Sequence, residues 1–184
     1  MLLINPASEK FGGFMSRYVP VGIPVALGYI SAYLEMHGIK CNLIDEEVTD
    51  ITPSVLREAV KELEKPYIVG FTALTAHVGR GYNIAKMVKT EFPDSIVVFG
   101  GLHPTALPEE ALNTGVVDFV VRGEGEEVML HLYRAIRSGG DISKLLGVSY
   151  IQGNKIINKS QAPLIPNIND IPMFPYHLFA NPKY

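Results

Sequence analysis

Several features that mark secreted, membrane and nucleic-acid-binding proteins are missing from this sequence. It has no tryptophan and one cysteine, so no internal disulfide can form. The net charge is −3 and the 16 basic residues are scattered, which is not the basic patch that binds nucleic acid. The longest apolar stretch, residues 25–34, is too short to span a bilayer, and no positive region precedes the apolar N-terminus. We therefore expect a cytoplasmic protein with neither a membrane span nor a nucleic-acid partner.

Motifs for catalysis are also missing. The sequence has no Gly-x-Ser-x-Gly nucleophile elbow, no Gly-x-Gly-x-x-Gly loop and no Walker loop. Its five histidines are not spaced with cysteines or carboxylates as metal ligands are. Cys41 lies in an apolar run, where a buried and inert thiol is expected. We predict no catalytic residue and no metal ligand.

Short apolar runs alternate with segments of helical period along most of the chain. The runs predict five strands, at residues 2–5, 41–45, 67–71, 96–99 and 119–121. Because the runs are nearly continuous, we expect helices to cover both faces of the sheet. Short links between strands and helices predict right-handed crossovers and an α/β, doubly wound parallel sheet. Five strands favour the flavodoxin-like order 2-1-3-4-5 over a full Rossmann fold.

Capping and helix-breaking residues predict five helices. The first helix begins at Pro24 and has Gly38 as its C-terminal cap, and the second runs from Thr52 to about Lys65. The third helix ends before Pro93, the fourth covers residues 109–113, and the fifth stops at Gly139.

The character of the sequence changes after Asp141. Residues 142–161 predict a β-hairpin with Gly153 and Asn154 at its turn. Residues 162–184 are rich in proline and have no regular period, which predicts an extended arm or linker. The predicted organisation is thus an α/β domain at 1–141, a hairpin and an arm.

Ligands of open parallel sheets bind outside the carboxyl ends of the strands. The loop after strand one, from Asn5 to Ile23, is long enough to suggest a function. The loop after strand three reads GFTALTAH, strand four ends in Gly100 and Gly101, and strand five is followed by RGEGEE. Adjacent glycines let a flat ligand approach the backbone where a Cβ would collide.

Each of these loops also has an ordinary structural interpretation. Threonines such as Thr72 and Thr75 often end strands and cap helices. A glycine pair often makes a turn, and Glu126 or Glu127 suits the positive end of a helix. His77 and His103 lie on the predicted ligand edge without the neighbours of a metal site.

Taken together, the segments MLLINP, VGFTALT, VVFGGLHPTALPEE and DFVVRGEGEE resemble the N-terminal cobalamin (vitamin B12)-binding domain of cobalamin-dependent radical S-adenosylmethionine (SAM) enzymes. That group includes the anaerobic magnesium-protoporphyrin IX monomethyl ester cyclases. The resemblance covers Met1 to about Asp141. It implies a Rossmann-like fold with cobalamin over the carboxyl edge of the sheet and its nucleotide tail running down between the strands.

The resemblance implies a set of cofactor-binding residues in three loops. Thr72-Ala73-Leu74 matches the family's Ser/Thr-x-Leu element, and Gly100-Gly101 matches its Gly-Gly element. The glycines would leave space for the benzimidazole tail, and Gly123 to Gly125 would approach the corrin edge. The predicted cofactor-binding residues are Thr72, Ala73, Leu74, Thr75, His77, Gly100, Gly101, Leu102, His103, Gly123, Glu124 and Gly125. On this interpretation Gly101→Leu abolishes cobalamin binding while the domain stays folded.

Two departures from related domains shape the expected function. Many cobalamin domains carry Asp-x-His-x-x-Gly after strand one, and this chain does not, so no histidine ligand to cobalt is expected. One cysteine cannot hold an iron–sulfur cluster. The [4Fe-4S] cluster and SAM are therefore expected only in a missing C-terminal radical SAM barrel of the same full-length chain, toward which the arm would lead. The resemblance implies a cobalamin-binding module for methyl transfer or oxidative cyclisation, without catalysis of its own.

Two other classes of protein remain as alternatives. One is a flavodoxin-like receiver or regulatory domain without a corrinoid, which would need an acidic pair in the first loop and a lysine after strand five. The sequence has Asp45 and Glu46 after strand two, but strand five ends in Arg122. The other is a nucleotide-binding enzyme domain, which the missing glycine fingerprints disfavour.

Overall fold

A computed structural model describes residues 1–7 and 21–184. The long loop predicted after the first strand, with Gly12, Gly13, Phe14 and Tyr18, lies mostly outside the described residues. Within the described part of the chain, no helix combines the length and the apolar character that crossing a membrane requires.

The sheet has seven strands in the order β2-β1-β3-β4-β5-β6-β7. The strands are β1 Leu2–Asn5, β2 Asn42–Asp45, β3 Ile68–Thr72, β4 Ile96–Gly100, β5 Phe119–Val121, β6 Val148–Gln152 and β7 Lys155–Asn158. The first five pair in parallel, which confirms the α/β class and the predicted order 2-1-3-4-5.

The sequence predicted a sheet of five strands, but the sheet continues with β6 and β7. The hairpin of β6 and β7 turns at Gly153 and Asn154 as expected, and β6 pairs antiparallel with β5, where Phe119 lies opposite Tyr150. Without this pairing β5 would be an edge strand with unpaired backbone groups. Val148 and Tyr150 are also buried in the same core as the helices. The hairpin is therefore the outer part of the same sheet.

Among the described residues, six α-helices connect and cover the strands. They are α1 Val25–Met36, α2 Pro53–Val60, α3 Val78–Glu91, α4 Leu102–Ala106, α5 Pro108–Asn113 and α6 Gly125–Ser138. Thr52 caps α2 by accepting a hydrogen bond from Val55 N, and Gly139 ends α6 in a left-handed conformation. Helix α2 ends at Val60, short of the predicted Lys65, and α4 was not predicted at all.

Apolar side chains pack on both faces of the sheet, which gives the doubly wound architecture. Helices α2, α3 and α5 cover one face, where Phe71 and Phe99 stack at 4.8 Å between ring centroids. Helices α1 and α6 cover the other face, where Leu34 and Leu132 are fully buried. Each such side chain stabilises the fold by about 1.5–3 kcal/mol. This packing brings the carboxyl ends of β1, β3, β4 and β5 to one edge.

The C-terminal arm folds back onto this domain. It contains two short 3₁₀ helices, Ile168–Asp170 and Tyr176–Phe179, and Phe179 is buried. Phe174 lies against Gly28 of α1, and the Tyr184 hydroxyl donates a 2.8 Å hydrogen bond to Asp45 at the end of β2. The arm, residues 162–184, thus has no strand or α-helix, and it packs against the domain.

Candidate functional site at the carboxyl edge of the sheet

The loops after β3 and β4 are hydrogen-bonded to each other. Ala73 N donates to Gly100 O at 2.9 Å, and His103 N donates to Ala73 O at 3.2 Å. Thr72 and Gly100 lie opposite each other in the register of the two strands. Two of the sequence elements predicted to bind the cofactor are therefore adjacent in space.

The two adjacent glycines have different structural roles. Gly101 has φ +97°, and a Cβ there would lie 2.9 Å from Ala73 O and 3.0 Å from Ala73 N. These are atoms of the protein's own backbone, so the fold itself requires glycine at 101. We therefore expect Gly101→Leu to destabilise the fold, which replaces the sequence-based expectation that this variant stays folded.

Gly100 has free space on its Cβ side. The nearest atom to an added Cβ would be Val121 O at 3.5 Å, which is an ordinary contact distance. Gly100 lines a cavity of about 200 Å³ between the sheet and helices α1 and α6. An alanine at this position therefore fits the protein and extends into the cavity.

The cavity is lined mainly by apolar or small residues. Leu3 and Gly70 form its floor on the sheet, while Leu27 and Ile30 of α1 and Met129 of α6 form its helical walls. A cavity of about 200 Å³ suits one flat bicyclic ring, and it is too small for a whole corrinoid. The sequence-predicted residues in its lining are Thr72, Gly100, Gly101, Gly123, Glu124 and Gly125. The α1 and α6 side chains were missed, because their apolar character is equally typical of core positions.

Two leucines are exposed beside this cavity. Leu74 is 46% exposed and Leu102 is 74% exposed, at the ends of the loops that follow β3 and β4. Thr75 is exposed, and His77 is the half-buried N-cap residue of α3 without a side-chain capping bond. Exposed apolar side chains next to an apolar cavity indicate a contact surface for a ligand.

His103 is buried, and both of its ring nitrogens have partners within the protein. Nδ1 lies 3.2 Å from Thr75 Oγ1, and Nε2 lies 3.1 Å from Glu110 Oε1. Helix α4, which carries His103, also carries Thr105, whose hydroxyl accepts a 3.3 Å hydrogen bond from Gly123 N. The helix therefore links the loops after β3 and β5. Thr105 and Glu110 were not predicted as site residues, because these contacts depend on the tertiary structure.

Acidic residues border the cavity at the start of α6. Burial raises the pKa of the Glu126 carboxyl, and Glu124 adds to the rise, while backbone hydrogen bonds oppose it. Glu124 accepts a 2.8 Å hydrogen bond from Ile165 N of the arm. Glu126 and Glu127 lie in the first helical turn, where negative charge is favourable.

The described residues 1–7 and 21–184 contain no group of three or more His, Cys, Asp or Glu side chains that could hold a metal ion. Cys41 is buried, and burial raises the pKa of its thiol to about 11. The prediction that this thiol is buried is therefore confirmed, and the raised pKa disfavours a reactive thiolate.

A larger open depression lies at the opposite edge of the sheet. Its volume is about 600 Å³, and Lys65, Tyr67 and Glu91 are among its lining residues. It surrounds the amino ends of β3 and β4, whereas ligands of such sheets bind at the carboxyl ends. Position in the fold therefore favours the smaller cavity.

Comparison with known proteins identifies the family. Residues 14–133 match the family described as B12 binding domain. The whole chain is 35% identical to an uncharacterized methyltransferase of Pyrococcus horikoshii, of which it covers 39%. It is 29% identical, over 93% of its length, to the anaerobic magnesium-protoporphyrin IX monomethyl ester cyclase of Rubrivivax gelatinosus, of which it covers 31%.

Solved structures share the fold. The methyltransferase TsrM of Kitasatospora setae, a radical SAM enzyme, superposes with a TM-score of 0.69 at 22% identity, over 86% of this chain and 29% of that one. The cobalamin-dependent radical SAM enzyme OxsB, with aqua-cobalamin and SAM bound, superposes with a TM-score of 0.72 at 17% identity, over 89% and 22%.

The chain thus spans less than half the length of these relatives. The relatives confirm the resemblance to cobalamin-dependent radical SAM enzymes that the loop motifs indicated. With two thirds of its residues inside the matched region, the chain belongs to the B12-binding domain family.

Proposed function

We propose that this chain holds cobalamin at the carboxyl edge of its sheet, with the nucleotide tail in the cavity beside Gly100. The single observation that carries this proposal is the cavity of about 200 Å³ that Gly100 lines and that α1 and α6 wall. Its apolar lining suits a benzimidazole ring, which stabilises binding through burial of apolar surface. The family match supports the same ligand.

The flat corrin ring would lie above this cavity, over the loops after β3, β4 and β5. Leu74 and Leu102 offer exposed apolar surface to it, and Thr75 offers a hydroxyl. Bound cobalamin supplies a carrier of methyl groups or electrons. The chain's own residues bind it, orient it and keep water from its tail.

We further propose that this chain supplies no histidine to the cobalt. Residues 6–24 of the first loop contain no histidine. His103 is buried, and both of its ring nitrogens already have partners. The cobalt would then have no coordinate bond from an imidazole of this chain.

The module would serve a radical SAM catalytic domain that carries the [4Fe-4S] cluster and SAM. Support comes from the relatives, which are two to five times longer than this chain and include methyltransferases and a cyclase. Both methyl transfer and oxidative cyclisation are compatible with the residues of this domain. We expect no cleavage of SAM by this chain alone.

A receiver domain is the alternative function, and the contacts of the acidic residues after β2 disfavour it. The Asp45 carboxylate accepts hydrogen bonds from Asn5 Nδ2 and from the Tyr184 hydroxyl, each at 2.8 Å. Glu46 is 7% exposed and is paired with Arg80. These carboxylates are engaged in structural contacts, whereas a receiver needs them free for Mg²⁺ and a phosphoryl group.

The test is retention of a corrinoid. The purified chain is mixed with hydroxocobalamin, desalted and examined by ultraviolet–visible absorption. We expect corrinoid bands to remain with the protein. A desalted protein without corrinoid bands would contradict the proposal, and bovine serum albumin treated in parallel controls for nonspecific adsorption.

A further inference from the structure

His103 connects helix α5 to the exposed loop after β3 through two side-chain hydrogen bonds. Its Nε2 is 3.1 Å from Glu110 Oε1, and its Nδ1 is 3.2 Å from Thr75 Oγ1. The Tyr82 hydroxyl also donates to Glu110 Oε1, at 3.4 Å. His103 is 7% exposed, so the imidazole at the centre of these contacts is shielded from water, whereas the Glu110 side chain is 48% exposed.

The chemistry of these groups fixes the direction of the protons. A carboxylate only accepts hydrogen bonds, so His103 Nε2 carries a proton and donates it to Glu110. A neutral imidazole has one ring proton, so its Nδ1 is then an acceptor. With the imidazole neutral, the hydroxyl of Thr75 donates to Nδ1, and its single proton is used inside the protein.

This direction determines what Thr75 offers to a ligand. Thr75 is exposed at the carboxyl edge, one residue beyond the exposed Leu74. With its proton turned toward His103, Thr75 presents only oxygen lone pairs outward. It accepts a hydrogen bond from an N–H donor, and it repels a second acceptor.

We propose that Glu110 and His103 act as positioning residues that make Thr75 select an amide side chain of the corrin ring over a carboxylate. This inference rests on the proposed cobalamin site. The corrin edge carries primary amides, whose N–H groups donate to an oxygen lone pair. A carboxylate at the same position has no proton to donate and bears a negative charge. The site would thus discriminate between amidated corrinoids and their incompletely amidated counterparts.

The test compares cobalamin with its b-, d- and e-monocarboxylates, in which one amide is hydrolysed. Affinities are measured by absorbance titration, with all corrinoids at the same pH of about 8. We expect one monocarboxylate to bind the unaltered chain about tenfold more weakly than cobalamin, the scale of one hydrogen bond to a charged group.

Variants separate this role from a purely structural one. In His103→Gln the Thr75 hydroxyl is free to turn and donate, so the discrimination falls to about twofold or less. Thr75→Val, at an exposed position, removes the hydroxyl and abolishes the discrimination, while Thr75→Ser restores it. Thr90→Val is the matched control, because Thr90 is also exposed and its hydroxyl donates within α3 to Lys86 O. It leaves the discrimination unchanged.

The outcomes distinguish this inference from the proposed function. If the chain binds cobalamin and all three monocarboxylates with equal affinity, the role of Thr75 is overturned, while the proposed cobalamin site stands. Discrimination that persists in Thr75→Val would also overturn the role of Thr75. Because Thr75 is exposed, this variant leaves no gap in the core. Failure of the unaltered chain to bind any corrinoid would instead overturn the proposed function, and this inference with it.

Discussion

Replacing Gly100 by alanine should weaken ligand binding without destabilising the fold. In the protein alone, the new Cβ would meet Val121 O at 3.5 Å and Val121 Cβ at 3.9 Å, both ordinary contacts. Gly100 is not among the glycines with positive φ. Alanine therefore fits the native backbone, and it stabilises the fold by about 0.4–1 kcal/mol because it restricts the unfolded chain.

The same methyl group has the opposite effect on a ligand in the cavity. The added methyl would take up part of the cavity of about 200 Å³ in which the bicyclic ring would lie, so a ring packed against Gly100 has to shift, or the strand does. Overpacking of this kind costs about 1–3 kcal/mol, which corresponds to about 5–150-fold in affinity. We expect Gly100→Ala to unfold at the same or a higher temperature and to bind hydroxocobalamin at least about fivefold more weakly.

Gly101→Ala provides the contrast, and Gly79→Ala provides the control. At 101 the φ of +97° and the 2.9 Å approach to Ala73 O predict a loss of stability of more than about 1 kcal/mol. Gly79 lies in α3 with no atom within 4 Å of an added Cβ, so its alanine variant changes neither fold nor affinity. Thermal unfolding and absorbance titration are measured on all three variants. A stable Gly100→Ala protein with unchanged affinity would refute the placement of the tail.

Three further predictions test other parts of the site. Because burial raises the pKa of Glu126, the contribution of its carboxyl to stability is greatest below about pH 4.5 and is lost as the pH rises through the raised pKa. Glu126→Gln should therefore weaken the fall of the unfolding temperature between about pH 4 and 7. The same fall of the unfolding temperature in both proteins would count against this. Electron paramagnetic resonance of bound cob(II)alamin should show no splitting from a histidine nitrogen, and a change of the nitrogen splitting on ¹⁵N-labelling of the protein's histidines would disprove the absence of a histidine ligand. In Gly28→Ala the new Cβ would lie 2.7 Å from Phe174 Cζ, so the ring should be displaced and proteolysis within residues 162–184 should be faster. Gly79→Ala is the control, and cleavage of the arm at the same rate in both variants would show that Phe174 does not anchor the arm.

Local signals predicted most of the parallel sheet. The strand starts at Leu2, Ile96 and Phe119 coincide with the predicted ones, because buried parallel strands leave continuous apolar runs in the sequence. The caps at Thr52 and Gly139 were also visible, since each satisfies backbone groups within a few residues.

Features that depend on distant contacts could not be predicted in the same way. The hairpin was visible, but nothing local indicates that β6 pairs with β5. Helix α4 has only five residues, and its His103 is held by contacts to Thr75 and Glu110. The pair Gly100-Gly101 was recognised as a site element, but its division of roles depends on the position of Ala73 in the neighbouring loop.

The most direct test of the central claim compares cobalamin with cobinamide, a corrinoid that lacks the nucleotide tail. Both are titrated into the unaltered chain under identical conditions and followed by absorbance. If the tail occupies the cavity beside Gly100, cobalamin binds at least about tenfold more tightly, because burial of the apolar ring contributes more than about 1.4 kcal/mol. Equal affinity for the two corrinoids would show that the cavity does not hold the tail.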